Sequence, residues 1–130
     1  MRTLIVDDDF TNRLLLQTFL SRYGECHIAV NGKEAVAAVR TARQAGQKYD
    51  LICMDIMMPE MDGHSALRAI RDDEAAEGIF SKGAKVFMTT ALGEVDQVVT
   101  AFQSLCDAYL VKPIDLSKLL SKLQGFGLVR

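Results

Sequence analysis

The chain has 130 residues, 49% hydrophobic and 25% charged, the size and make-up of one ordinary globular domain with room for a single core. Its net charge is only −2 and its 15 Lys and Arg residues are scattered, which argues against direct nucleic-acid binding and against a membrane surface. No apolar run reaches spanning length, no leader-like N-terminus is present, and Cys26, Cys53 and Cys106 lack paired spacing, so the expectation is a soluble cytoplasmic protein with free thiols.

In chain order, "TLIV" (3–6) reads as a buried strand, followed by a helical segment with Phe10, Leu14, Phe19 and Tyr23 at apolar spacing. "CHIAV" (26–30) is the second strand, and Ala35, Val39 and Ala42 mark the second helix. "DLICM" (50–54) is the third strand, with Ala66, Leu67 and Ile70 in the helix after it; the long stretch 71–85 calls for an extra helical turn before a Gly-containing loop. "AKVFMT" (84–89) precedes a fourth helical segment with Val95, Val98, Val99, Phe102 and Leu105. "AYLV" (108–111) leads to a last helix with Leu116, Leu119, Leu120 and Leu123. Asp9, Asn31, Asp62 and Asp115 stand where a side-chain oxygen can cap a first helical turn, and Gly125 stands where the last helix should stop.

Five strands alternating with five helices predict a single α/β domain over residues 1–130, a parallel sheet covered on both faces. Ligands bind such sheets at the carboxyl ends of the strands. Gathered there are Asp7 and Asp8, then Asp55 with "IMMPEMDG" behind it, then Thr89, Thr90 and Ala91, and finally Lys112 and Pro113. Carboxylates suit magnesium, a carboxylate can itself be a nucleophile, and a lysine with a hydroxyl can neutralise a transferring phosphoryl group. Each residue also has an ordinary structural use: solvated turn acids, a loop lysine, a capping threonine, and Met57, Met58 and Met61 as core filler.

Taken together, "LIVDDD", "MDIMMPEMDG", "TTA" and "AYLVKP", in that order, resemble the receiver domain of bacterial two-component response regulators, from about Thr3 to the end of the last helix. The resemblance implies a flavodoxin-like doubly wound sheet of order 2-1-3-4-5 and a cis Lys112–Pro113 bond. It implies that Asp55 is the phosphoacceptor, and that Mg2+ is held directly by Asp8 and Asp55, through water by Asp7, and by the Met57 backbone carbonyl. Met57, Thr90, Ala91 and Lys112 then surround the phosphoryl group, with Thr90 and Tyr109 as switch residues; Tyr109 has core packing as its ordinary alternative. A sensor histidine kinase or a phosphotransfer protein would be the donor. A separate target protein would read the surface of the fourth helix, fifth strand and fifth helix, because the chain reads as a stand-alone receiver and not as an enzyme beyond its own phosphorylation and dephosphorylation.

Two features depart from the family pattern. Met57 and Leu92, two residues after Asp55 and Thr90, are both apolar, which predicts slow hydrolysis of the phosphoform; Leu105 stands where a helix-ending glycine is usual. A competing reading takes "DDDFT" as D-x-D-x-T, the first motif of haloacid-dehalogenase-type phosphatases, with Asp7 as nucleophile and Asp9 as acid and base. The short chain after Lys112 and the unexplained Asp55 weigh against it. An unphosphorylated adaptor is a third reading, which the intact acid set disfavours. The "GFGLVR" tail either packs on the fold or offers Phe126 and Leu128 to a partner.

Overall fold

The computed structural model describes residues 1–79, 83–91 and 105–130. All five aliphatic runs enter one sheet: β1 (Thr3–Val6), β2 (Cys26–Ala29), β3 (Leu51–Asp55), β4 (Lys85–Ala91) and β5 (Ala108–Lys112). Every neighbouring pair is parallel, and the order is β2-β1-β3-β4-β5. Four helices lie among the described residues: α1 (Phe10–Leu20), α2 (Gly32–Gln44), α3 (Gly63–Ala76) and α4 (Leu116–Gly125). The helix predicted around Val95–Leu105 falls mostly on residues 92–104, outside the described residues.

Strand alternation divides the core in two. Leu4, Val6, Ile52, Met54, Val86 and Met88 face one way and pack on Ala35, Val36 and Val39 of α2 and Ala66, Leu67 and Ile70 of α3. Ile5, Leu51, Cys53, Phe87 and Leu110 face the other way, onto Leu16, Phe19 and Leu20 of α1 and Leu119 and Leu123 of α4. Near-continuous apolar strands are what a sheet buried on both faces requires.

The four predicted caps all form: Asp9 accepts from the Thr11 amide, Asn31 from Glu34, Asp62 from Ser65, and Asp115 from Ser117 and Lys118. α3 continues through Ala76, and the left-handed Gly78 (φ 73°) follows it. One expectation needs correction: in α1 the buried residues are Asn12, Leu16, Phe19 and Leu20, whereas Phe10 and Leu14 are exposed. The last helix stops at Gly125 as expected, and the left-handed glycine beyond it is Gly127 (φ 72°).

The tail packs on the fold. Phe126 lies 5.6 Å from the Phe87 ring and 5.7 Å from the Lys85 ammonium, and Leu128 and Val129 rest against the α1/α4 side of the core. The cysteines are free, with Cys53 buried and Cys26 and Cys106 partly covered. Among the described residues no helix is long and apolar enough to cross a membrane.

Candidate functional site

Parallel register brings the chemistry to one edge. Val6 pairs with Met54 at the last step of the β1–β3 ladder, so Asp7 follows β1 where Asp55 ends β3. Asp55 pairs with Thr89, which puts Thr90 one residue further along β4, and Ala91 pairs with Lys112. Alternation sends Asp7, Asp55 and Lys112 toward the same sheet face, the one that α1 and α4 cover.

The loop after Asp55 is tightly held. The Ile56 amide donates to the Thr89 carbonyl, and the Gly63 amide donates to the Ile56 carbonyl at 2.8 Å. A Cβ at Gly63 would collide with the Asp55 carbonyl oxygen, so glycine is what lets α3 start this close to the strand end. Within the loop Glu60 adopts φ 67°, an uncommon left-handed conformation for a residue with a side chain.

Asp7, Asp8 and Asp55 each offer a carboxylate oxygen within 4.8 Å of the others. Asp7 and Asp55 are buried, at 1% and 6% exposure, while Asp8 is open to solvent. The Lys112 ammonium bridges the buried pair, 3.2 Å from Asp7 Oδ2 and 3.1 Å from Asp55 Oδ2. Burial raises the Asp55 carboxyl above the usual carboxylate range and the Asp7 charge adds to this, while Lys112 and the Met57 amide only partly counter it. Burial works against the Lys112 ammonium, but the Asp55 and Asp7 charges outweigh it and hold its pKa above normal.

This donor set fits magnesium. Hard oxygen ligands, two buried and one exposed, leave an open side for the waters that Mg2+ keeps. It also fits an incoming phosphoryl group, because Thr90 Oγ1 is buried without a hydrogen-bond partner among the described residues, an unusual and costly state for a hydroxyl. The Met57 side chain is 60% exposed and offers no hard oxygen, so its backbone carbonyl is the group that would serve a metal. Tyr109 is half-buried beside the α2/α3 side of the core; burial and a side-chain hydrogen bond with Cys106 push its phenol up. The Lys112–Pro113 peptide is cis.

Asn12 and Arg13 were not legible as site residues in the sequence. The Asn12 amide Nδ2 donates to Asp7 Oδ2, and Arg13 donates to the Asp7 carbonyl at 3.1 Å. The signal was their place in the first turn of a helix that starts directly behind the acid cluster. The same geometry does not favour the phosphatase reading, because Asp9, its acid and base, is engaged as the α1 cap.

The family model described as the response regulator receiver domain matches residues 3–124. The chain is 35% identical over 124 residues to the chemotaxis protein CheY of Bacillus subtilis, a match covering 92% of this chain and 91% of that protein. It is 37% identical over 130 residues to the sensor protein GacS of Pseudomonas syringae, of which it spans only 14%. A chain in the co-crystal structure of the Saccharomyces cerevisiae phosphotransfer protein Ypd1 with the receiver domain of Ssk1 matches with a TM-score of 0.79 and 31% identity, over 95% of this chain and 86% of that one. The chain therefore belongs to the response regulator receiver domains, the signalling modules of two-component phosphorelays.

Proposed function

We propose that Asp55 accepts a phosphoryl group from phosphohistidine on a sensor histidine kinase or phosphotransfer protein, and that residues 1–130 act as one receiver unit for a downstream target protein. The observation that carries this is the buried Asp55 bridged by Lys112 next to Asp7, with a buried Thr90 hydroxyl at the same strand edge that has no partner among the described residues. A carboxylate oxygen of Asp55 attacks phosphorus, the phosphorus–nitrogen bond of the donor breaks, and its electron pair stays on the donor imidazole. Lys112 moves its ammonium onto the new phosphoryl oxygens, and Thr90 donates its hydroxyl to one of them. Asp8, Asp55, the Met57 carbonyl and, through water, Asp7 would hold Mg2+, which neutralises charge on the transferring group.

The rim of the site suits a protein donor. Phe10 and Met57 follow Asp8 and Asp55 by two residues each, and both are exposed apolar side chains, at 66% and 60%. Phosphorylation adds a charge of roughly −2 at Asp55. Thr90 then draws toward it, Tyr109 turns, and the surface carried by β5 and α4 changes for the target to read. The reading places the domain in the cytoplasm, where Cys26, Cys53 and Cys106 stay reduced.

Treatment with acetyl phosphate and Mg2+ should add one phosphoryl group by mass spectrometry, and Asp55→Asn should abolish it. Equal labelling of that variant would refute the assignment. Steady turnover of a chromogenic phosphate monoester that Asp7→Asn abolishes would instead restore the phosphatase reading.

A further inference from the structure

We propose that Asn12 is a positioning residue for the metal site, holding the Asp7 carboxylate in the orientation the cation needs; this rests on the reading of Asp7, Asp8 and Asp55 as a magnesium site. Among the described residues, three donors meet the Asp7 side chain. The Asp9 amide reaches Oδ1 at 2.9 Å, while Asn12 Nδ2 and Lys112 Nζ both reach Oδ2. Their commitments differ. The Asp9 amide is main chain, fixed by the turn into α1, and Lys112 is shared with Asp55 at 3.1 Å.

Asn12 is the only one of the three whose side chain serves Asp7 alone. It is itself buried, at 8% exposure, on the first turn of α1, where packing of Leu16 and Leu20 holds the helix in place. Its chemistry suits the task. A carboxamide is a neutral donor, so it fixes the carboxylate without adding positive charge that would oppose a divalent cation, as a second lysine would. When Lys112 shifts toward a phosphoryl group, Oδ2 loses its cationic partner and Asn12 remains to keep Asp7 from turning away. Without Asn12, the carboxylate must be reordered each time a metal binds, and that cost appears as lost affinity.

The test is calorimetric titration of the unphosphorylated protein with Mg2+, comparing wild type with Asn12→Leu, which keeps similar bulk without donors, and Asn12→Ala. The expected result is a Kd about tenfold weaker in both variants, the low end of the effect of removing a ligand's hydrogen-bond partner. Both variants should melt a few degrees lower, since a buried oxygen loses a donor, yet remain folded at the titration temperature, and labelling by acetyl phosphate should need more Mg2+ while reaching almost the same plateau rate. Asn12→Gln, which retains the carboxamide, should recover part of the affinity. Unchanged Mg2+ affinity in folded Asn12→Leu or Asn12→Ala overturns the proposal, as does a lower plateau with an unshifted Mg2+ midpoint. Absence of Mg2+ binding by wild type overturns the site reading itself, a separate result.

Discussion

Asp7 and Asp9 stand two residues apart, yet one is 1% exposed and bridged to Lys112 while the other caps a helix in solvent. Alternation does not separate them, because residues two apart share a face; the chain leaves the sheet after Asp7, and Asp9 is carried off with α1 as its N-cap. Met57, two residues after Asp55, is an exposed apolar side chain that offers no proton acceptor. We expect Met57→Asn or Met57→Glu to speed loss of the phosphoryl group by roughly ten- to a hundredfold, by orienting and polarising the attacking water. Following the decay of labelled protein after removal of donor checks this, and an unchanged decay rate would count against it. The acids, Thr90 and Lys112 were legible because strand ends and residue chemistry coincide. Asn12 was not, because a buried amide in a first turn is indistinguishable in sequence from an ordinary surface asparagine.

At the scale of elements, the caps and strands were readable because each is decided locally, by one oxygen or by a short aliphatic run. The face of α1 was not: apolar spacing from Phe10 and Leu14 competed with spacing from Leu16 and Leu20, and only the tertiary fold selected the second. Neighbouring helices add polar contacts that no single-element pattern displays. Across α2 and α3, Arg40 grips Asp73 with two hydrogen bonds, at 2.6 and 3.2 Å. The Arg40 hydrogen bond is the main cause holding the Asp73 carboxyl below its ordinary value. A depressed carboxylate stabilises the fold above its unfolded-state pKa, near 4, and that contribution disappears as pH falls through the folded value. The stability gap between wild type and Asp73→Asn should therefore be level from pH 7 to about 5 and close below about pH 4. Because both groups are partly in water it should be small and shrink with salt; thermal melts across pH check it, and a gap that widens in acid would contradict it.

At the scale of the whole molecule, the sheet separates chemistry from cohesion. The carboxyl edge carries the acids, while at the opposite edge a charged cluster centred on Arg71 ties α3 to β4 and β5. Its guanidinium donates to the carbonyls of Leu105 and Ala84, to Glu74 at 2.7 Å and to Asp107 at 3.0 Å. Glu74, 3% exposed, also accepts the Ala84 amide, and Asp107 accepts the Val86 amide. One arginine thus links α3, the approach to β4 and the approach to β5. Removing Arg71 leaves the buried Glu74 with Arg43 at 4.0 Å as its remaining cation among the described residues, and removing Glu74 leaves Arg71 an acceptor short, which costs more than the cluster itself contributes. Glu74→Ala or Arg71→Ala should each lower unfolding free energy by about 3–5 kcal/mol, and the double variant should lose less than their sum. Urea titration measures both. The cluster sits at the far ends of the strands from Asp7, Asp8 and Asp55, so a variant that remains folded should bind Mg2+ with wild-type affinity. A loss below about 1 kcal/mol would show that solvent replaces these contacts; Mg2+ affinity falling in step with stability would show that the two edges are coupled through the sheet.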